Sequence, residues 1–219
     1  GKQDIDRAKR IQEKLALKVR LNPLRKKLRY VVGVDAAFSA TRVYAAAALY
    51  SFPGLELIEE SIAVSKIRFP YVPGYLSFRE AAALIQAVRR LKTAPGLILV
   101  DGQGIAHPRG IGIASHIGVL LNIPAVGCAK SRLIGEFVEP DDPKGCWSPL
   151  VHRGKIVGAV MRTRDNVRPL FVSPGHQVNL RDCLKIVAAC LKGYRIPEPL
   201  RRADFLSKKE FRRSLAEKP

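Results

Sequence analysis

The amino-acid sequence predicts an α/β protein in which a mixed β-sheet carries helices on both faces. Three observations predict this class. An N-terminal helix precedes three consecutive strand-like segments, short apolar segments then alternate with helical ones, and the chain closes on helices. Consecutive strands are normally antiparallel neighbours, whereas short apolar runs separated by helices are typical of buried parallel strands.

The first half of the chain supplies one helix and three strands. Apolar residues at helical spacing predict a helix from Asp4 to Leu21. Its apolar side carries Ile5, Ala8, Ile11, Leu15 and Val19. The next predicted strands are RYVVGVDAAFS, VYAAAALYSF and LELIEESIAVSKI, and we expect them to be antiparallel. Pro53-Gly54, between the second and the third, predicts a hairpin.

The second half alternates helices with short strands. A loop rich in Pro and Gly, FPYVPGYLSFRE, leads into an alanine-rich helix from Ser77 to Leu91, and the apolar run LILVD follows. The remaining predicted elements are a helix at 111–121, a strand at 124–128, strands within 146–172, a helix at 179–191 and a very basic helix at 200–217. Three adjacent strands followed by alternating helix and strand is the order of a ribonuclease H-like fold.

The composition is that of a basic globular protein. The 219 residues include 38 Lys and Arg against 19 Asp and Glu, a formal net charge of +19. We expect a single domain over residues 1–219, with a basic C-terminal helix or tail from about residue 200, and a polyanion such as nucleic acid as partner. No apolar run approaches the ~20 residues of a membrane span, and the N-terminus lacks a signal core. A cytoplasmic monomer without membrane contact is therefore expected.

Two aspartates lie within or at the end of predicted strands. Asp35 lies in the first strand and Asp101 ends the fourth. If these strands are neighbours, the two carboxylates are forced together, which raises the pKa of one of them unless a cation relieves the repulsion. Mg²⁺ prefers such oxygen ligands and supports phosphodiester hydrolysis. The alternative is that each Asp caps a turn or a following helix.

Two further acids are candidates with good structural alternatives. Ser77-Phe78-Arg79-Glu80 matches a capping box, in which Ser77 is the N-cap and Glu80 reaches back to its amide. On the local pattern alone, capping is the preferred role of Glu80. Asp204 stands among arginines near the start of the last helix, where a solvated ion pair is the ordinary role.

The histidines and glycines leave several roles open. His107 follows Asp101 in a Gly/Pro loop and could hydrogen-bond a phosphate or a metal-bound water, whereas His116 falls in a helix interior and is expected to be partly buried. His176 precedes a helix and is expected to bind an anion there or to cap the helix. The glycines between 102 and 112 either allow a ligand to come close or only turn the chain. They do not complete a dinucleotide-binding fingerprint.

Longer motifs resemble a known family. They are PYVPGYLSFRE, VDGQGIAHPRGIGIASHIGVLLNIPAVGCAKSRL, FVSPGHQVNL and GYRIPEPLRRAD. Together they resemble endonuclease V, the deoxyinosine 3′ endonuclease family, over about Asp4 to Asp204. The resemblance implies a ribonuclease H-like fold, Mg²⁺ as cofactor with Mn²⁺ as a substitute, and a nick at the second phosphodiester 3′ to a deaminated adenine in DNA.

The resemblance also implies roles for individual residues. Asp35 and Asp101 match the metal-binding aspartates and Glu80 the catalytic glutamate, which reverses the local preference for a cap. Asp204 is expected to be a fourth ligand or to lie beside the ligands. His107 and Lys130 match positions beside the scissile phosphate, and Ser131 and His176 are also expected to contact nucleic acid.

The remaining matched residues concern lesion recognition. In PYVP, Tyr71 and Pro73 belong to the segment that matches the strand-separating wedge, since prolines stiffen a loop and tyrosine stacks where a base has left the duplex. The pocket for the flipped base is expected around Gly74, Leu76, Gly102, Gly112 and Ile113. Three alternatives stay open: cleavage of inosine in RNA, another nuclease activity on the same fold, and a basic nucleic-acid-binding module that does not cleave.

Overall fold

An eight-stranded mixed sheet lies at the centre of the protein, in a computed structural model that describes residues 2–67, 69, 72 and 74–216, without the side chains at 2, 3 and 76. In chain order, the described elements are α1 (Lys2–Ala16), β1 (Tyr30–Phe38), β2 (Arg42–Ser51), β3 (Leu57–Lys66), α2 (Leu76–Arg89), β4 (Leu97–Val100), α3 (Ile113–Leu121), β5 (Ala125–Ala129), β6 (Trp147–His152), β7 (Lys155–Met161), β8 (Leu170–His176), α4 (Leu180–Ala189) and α5 (Glu198–Ala216).

The strand order is β3-β2-β1-β4-β5-β8-β7-β6. Strands β1, β4 and β5 are parallel neighbours, and the other pairs are antiparallel. The predicted hairpin at Pro53-Gly54 joins β2 to β3, and a turn at Arg153-Gly154 joins β6 to β7. The sheet is therefore mixed, as the sequence predicts, and its first and fourth strands are side by side.

Apolar cores on both faces of the sheet hold the helices. Alternate residues of β1 point to opposite faces, so Val31 packs in the core that includes Leu200 of α5 and Ile186 of α4. Val32 and Val34 pack in the other core, with residues of α2 and α3. This arrangement confirms helices on both faces. None of the helices in the described part of the chain is both long and apolar enough to cross a lipid bilayer.

The helix boundaries differ from the predictions by up to five residues. Helix α1 ends at Ala16 and not at Leu21, because the Arg20 amide donates to His176 Nδ1 (3.3 Å) and the Arg20 carbonyl accepts from the Gln177 amide (2.7 Å). Helix α2 begins one residue before Ser77, and α5 begins at Glu198, where Pro199 is tolerated because first-turn amides need no helical partner. Glu217, the predicted end of the last helix, lies outside the described residues.

The last helix is docked on the sheet through most of its length. The Tyr44 and Phe211 rings lie 5.6 Å apart, and Ser214 Oγ donates to the Tyr44 hydroxyl at 2.8 Å. At the other end, a Cβ added to Gly33 of β1 would lie 2.2 Å from the Pro199 carbonyl carbon. Only glycine allows this approach, so Gly33 sets how closely α5 sits on β1.

Replacing Gly33 tests this close contact between α5 and β1. We expect Gly33→Ala to lower the free energy of unfolding by at least about 1–3 kcal/mol, because its methyl group must displace the α5 backbone. The control is Gly54→Ala, whose Cβ meets only the Ser51 hydroxyl at 3.3 Å. Urea denaturation of both variants and the wild type measures the difference; equal stability of the two variants would contradict the close contact.

Candidate active site

Two carboxylates meet at the C-terminal edge of the parallel strands. Val34 of β1 pairs with Val100 of β4, so the next residues, Asp35 and Asp101, come out in register at the same edge. The Asp101 amide reaches the Val34 carbonyl at 3.5 Å, and Asp35 Oδ1 accepts from the Ala36 amide at 2.8 Å. The pairing of β1 with β4 alone therefore brings the two predicted aspartates together.

Helix α5 adds a third carboxylate from above the sheet. By strand alternation Asp35 shares the face of Gly33, which is the face that α5 covers. Asp204 of α5 hydrogen-bonds with Asp35 and accepts from Lys208 Nζ at 2.7 Å and 2.8 Å. Partial burial works to raise the pKa of Asp204, but the hydrogen bonds from Lys208 and Asp35 leave it below its usual value. Asp204 thus belongs to the cluster and also forms an ion pair.

Glu80 does not cap its helix. The residue before α2 is Tyr75, whose side chain makes no capping bond, and Ser77 lies inside the first turn. The Tyr75 amide already donates to the Val72 carbonyl at 2.9 Å, which starts the turn before Ser77. The capping-box prediction is therefore wrong. Glu80 is instead buried, with 6% of its surface exposed, and faces the charges of Asp35 and Asp101.

The electrostatics of this cluster favour the approach of a positive charge. Burial, followed by the charges of Asp35 and Asp101, raises the pKa of Glu80 to about 8. Burial and the Asp101 charge likewise raise the pKa of Asp35 far above its usual range. Carboxylates that resist ionisation when placed together are stabilised by a cation.

Lys130 supplies part of that charge. It follows β5, the strand next to β4, and its Nζ lies 2.5 Å from Asp101 Oδ2. Partial burial works to lower the pKa of Lys130, but the charge and hydrogen bond of Asp101 outweigh it, and the pKa lies above its usual value. The lysine is therefore charged at neutral pH and stands beside the carboxylates.

The donor set suits a hard divalent cation. Asp35, Glu80, Asp101 and Asp204 offer only carboxylate oxygens, the ligand type that such ions prefer. Within residues 2–67, 69, 72 and 74–216, no three His, Cys, Asp or Glu side chains already stand in a metal-binding arrangement. The carboxylates fit a cation by the chemistry of their oxygens and by their charge.

A cavity of about 300 Å³ opens beside the carboxylates. Its lining joins residues from the catalytic edge to most of the predicted base pocket, namely Asp101, His107 and Lys130 with Gly74, Gly102, Gly112, Ile113 and Ser131. Two buried oxygens in this lining, Ser77 Oγ and Gln103 Oε1, have no hydrogen-bond partner within the described part of the protein. Such atoms are costly unless a ligand satisfies them.

The glycines of the pocket are needed mainly for the packing of the protein itself. A Cβ on Gly112 would lie 2.3 Å from the Gln103 carbonyl oxygen, and one on Gly102 would lie 2.5 Å from Ile113 Cγ2. Both clashes point into the protein. The loop between β4 and α3 is therefore closely folded on itself, which shapes the wall of the cavity.

The Gly74 carbonyl is the most heavily hydrogen-bonded group of the pocket. It accepts from Gln12 Nε2 at 2.9 Å, from His107 Nε2 at 3.0 Å and from Arg109 Nη2 at 2.7 Å. Gln12 Oε1 accepts in turn from Arg109 Nε, and the Arg109 guanidinium lies 4.3 Å from the centre of the Tyr75 ring. These contacts tie α1, the loop before α2 and the loop after β4 to one point.

Sequence reasoning missed Gln12 and Arg109. One signal was present, since Gln12 lies between Ala8 and Leu15 on the buried stripe of α1 and is only 1% exposed. A polar side chain inside an apolar stripe indicates a specific partner. No local pattern marks Arg109 among so many basic residues.

His107 lies at the pocket, but the protein occupies both of its ring nitrogens. Its Nδ1 accepts from the Arg109 amide at 3.2 Å, so the proton is on Nε2, which donates to the Gly74 carbonyl. Burial is the main reason that the pKa of His107 falls to about 4, so the ring is neutral at pH 7. In this arrangement His107 positions the pocket wall, and its expected contact with a phosphate stays a prediction.

Other predicted residues do not join the site. His176 ends β8 opposite Ala125, at the far end of β5 from Lys130, and accepts from the Arg20 amide. It does not cap α4 either, because Asn179 does so by accepting from the Asp182 amide at 2.8 Å. His116 is buried in α3 as predicted, against the Phe78 ring. Tyr71 and Pro73 lie outside the described residues, as does the side chain of Leu76.

All four carboxylates lie within a segment that matches a known family. The Endonuclease V family model matches residues 13–205. The chain belongs to the endonuclease V family. Endonuclease V of Dictyoglomus turgidum is 45% identical to it over 210 residues, which are 96% of this chain and 92% of that protein. This confirms the resemblance, and the protein is a nuclease of a metal-dependent family.

Solved structures of the family share the fold. Endonuclease V from Streptomyces avermitilis matches with a TM-score of 0.91 at 38% identity, over 96% of this chain and 94% of that one. Ciona intestinalis endonuclease V, in complex with a 24mer DNA containing an inosine followed by a ribo-adenosine, matches with a TM-score of 0.84 at 27% identity. That match covers 97% of this chain and 99% of the Ciona chain. The predicted fold class is confirmed.

Gln12 provides a test of the contacts at Gly74. We expect Gln12→Leu to lower the free energy of unfolding by about 1–3 kcal/mol, since it leaves Arg109 Nε without its acceptor. We also expect KM for nucleic acid to rise more than kcat falls, because Gln12 shapes the pocket without lining it. Steady-state kinetics measure this. Gln86→Leu, at an exposed position of α2, is the control, and equal kinetics of the two variants would contradict the role.

His116 predicts a specific pH dependence of stability. Burial lowers the pKa of His116 to about 4, whereas the unfolded value is 6.5. The unfolded chain therefore takes up the proton first, and this histidine costs stability as the pH falls from 6.5 to 4, up to about 3 kcal/mol.

We expect His116→Leu to remove that component of the acid-induced loss. Urea denaturation of the wild type and the variant at several pH values between 4 and 7 measures it, and the difference between them cancels the contribution of the carboxylates. His152→Leu, at a partly exposed position of β6, is the control. If the free energies of unfolding of the wild type and of His116→Leu differ by the same amount at every pH in this range, the prediction is contradicted.

Proposed function

We propose that this protein is a repair endonuclease that recognises deoxyinosine in DNA. It hydrolyses the second phosphodiester bond 3′ to the lesion and leaves a 3′-hydroxyl and a 5′-phosphate. The observation that carries the proposal is the joining of two features in one place. A cluster of four carboxylates, whose negative charge Lys130 and Lys208 balance only in part, borders a cavity of base-pocket size through Asp101, within a chain of the endonuclease V family.

The cation in this proposal is Mg²⁺, and Mn²⁺ substitutes for it. Asp35, Asp101 and Glu80 would hold it, with Asp204 as a fourth ligand or as a hydrogen-bond partner of Asp35. When bound, such an ion orients a scissile phosphate and makes hydroxide available at neutral pH. The raised pKa values of Asp35 and Glu80 support this assignment, since a cation is what would let both groups ionise.

Lys130 is proposed to stabilise the phosphate. It is charged, it lines the cavity, and with 46% of its side chain exposed it can leave Asp101 for a substrate oxygen. Ser131 beside it also lines the cavity. Positive groups placed where negative charge develops are a large contribution to hydrolysis.

The cavity is proposed to take the flipped base. Hypoxanthine offers a carbonyl oxygen as acceptor and a ring N–H as donor, where adenine has an amino group and an acceptor nitrogen. The unpaired Ser77 hydroxyl can donate and accept, and the unpaired Gln103 Oε1 can accept. Backbone groups at Gly74, Gly102, Gly112 and Ile113 complete the wall, and Tyr71 and Pro73 remain proposed as the wedge.

Inosine in RNA is a second candidate substrate. The DNA bound to the Ciona enzyme carries a ribo-adenosine after its inosine, so that family member accommodates a 2′-hydroxyl there. A non-cleaving binding module is set aside, because the family is one of nucleases.

A nicking assay tests the proposal. We expect a labelled duplex with one deoxyinosine to be nicked at the second phosphodiester 3′ to it with Mg²⁺ or Mn²⁺, and not with EDTA. Asp101→Asn removes one negative ligand while keeping the shape of the side chain, and we expect a rate loss on the order of 10³-fold. Asp141→Asn, at an exposed position, is the control and should keep the wild-type rate.

The arms of the assay separate the possible failures. Cleavage that does not depend on the inosine would support the metal site but contradict the assignment of the cavity as a pocket for the flipped base. Binding without a nick under all metal conditions would contradict the hydrolytic assignment. Faster cleavage of an inosine-containing RNA than of the DNA would favour the second candidate.

A further inference from the structure

A second, larger cavity lies at the opposite edge of the sheet. It measures about 650 Å³ and is lined by the segment between α1 and β1, by the turn before β4 and by the turn before β5. Tyr30, Gly96 and Pro124 mark the N-terminal ends of the three parallel strands whose other ends carry the active-site groups. Nothing in the hydrolytic site requires this groove.

The segment 20–29 is held so that its basic side chains face outwards. Leu24 and Leu28 pack against the core that includes α4 and α5, and the Leu24 amide donates to Asp182 Oδ2 at 3.0 Å. The Arg29 carbonyl accepts from the Phe52 amide at 2.8 Å. These anchors leave the intervening charged residues exposed on a backbone fixed at both ends.

The groove is positively charged without compensation. Five of the described residues that line it are basic and none is acidic; the basic ones are Arg20, Arg25, Lys26, Lys27 and Arg29. All five are exposed, and none takes part in an ion pair within the described part of the chain. Like charges held this close repel one another, so the surface favours a partner that carries several negative charges.

The active-site carboxylates do not neutralise this charge. Tyr30 and Asp35 are five residues apart on one strand, which corresponds to about 17 Å. The screening length at physiological salt is about 8 Å. The two edges of the sheet therefore present opposite charge to solvent as separate surfaces.

We propose that this groove is a second, non-catalytic binding site for the phosphate backbone of nucleic acid. The protein acts on a polyanion whose charges repeat along a chain, and a row of exposed Arg and Lys matches that repeat better than it matches one small anion. At about 3.4 Å per base pair, the straight-line distance along β1 corresponds to about five base pairs, so a duplex that passes around the outside of the protein spans at least that number. The groove holds a part of the substrate remote from the nicked bond.

Matched charge-removal variants test the proposal. The groove variant is Arg25→Gln with Lys26→Gln and Lys27→Gln, and the control is Lys144→Gln with Lys155→Gln and Arg164→Gln, which removes the same charge from exposed positions elsewhere. The probe is a long duplex without inosine, so the result does not depend on the proposed lesion specificity. Affinity is measured by fluorescence anisotropy over a series of salt concentrations.

We expect the groove variant to lower the slope of log affinity against log salt by up to about 2.7, at about 0.9 for each phosphate that the protein no longer neutralises, and the control to stay near the wild type. Nicking of a deoxyinosine duplex that ends within about five base pairs of the lesion should be unchanged in the groove variant. Both variants remain folded by circular dichroism, since all six positions are exposed.

Three results would overturn the proposal. Equal slopes for the two variants would mean that only the overall charge of the protein matters. A groove variant that keeps the wild-type slope on the duplex but loses binding to polyglutamate would assign the groove to an acidic protein. Loss of nicking on the short duplex would make the groove part of the catalytic footprint.

Discussion

The in-register parallel pairing of β1 with β4 is the constraint on which the site depends. It places Asp35 and Asp101 at the same edge of the sheet, although their carboxylates repel each other. Glu80 from one face and Asp204 from the other add to that repulsion. Burial, followed by the charges of Asp35 and Asp101, raises the pKa of Glu80 to about 8. The neighbouring strand contributes Lys130, and the negative charge that remains favours the binding of a cation.

Close backbone packing on both sides of the sheet positions these groups. Gly33 lets α5 lie against β1, which brings Asp204 to Asp35. Gly112 lets the loop after β4 fold back on itself, which forms a wall of the cavity. In both places the absent side chain makes room for protein backbone, and the functional geometry follows from that contact.

The N-terminal helix takes part in the site without carrying a reacting group. Gln12 reaches the carbonyl of Gly74, 62 residues later, together with His107 and Arg109. A carbonyl with three donors is fixed in direction, because moving it would leave buried donors unsatisfied. The loop that borders the pocket is thus held by elements from three parts of the chain.

The sequence by itself determined the local elements and the acidic residues that the first and fourth strands carry. Three consecutive strand-like segments predicted β1 to β3, the continuous run Leu97–Val100 predicted a buried parallel strand, and its terminal acid predicted a site. These signals are local, since they depend on spacing along one segment. The family motifs added the roles of Asp35, Glu80 and Asp101, which remain proposals at the level of single residues.

Tertiary structure decided the rest. Ser77 and Glu80 match a capping box, but α2 starts one residue earlier and buries both side chains at the site. His107 and His176 are similar in local pattern, yet one lies at the pocket and the other at the opposite end of β5. Gln12, Arg109 and the basic groove depend on contacts between distant segments. Such contacts are set by how the helices dock on the sheet, which no short stretch of sequence encodes.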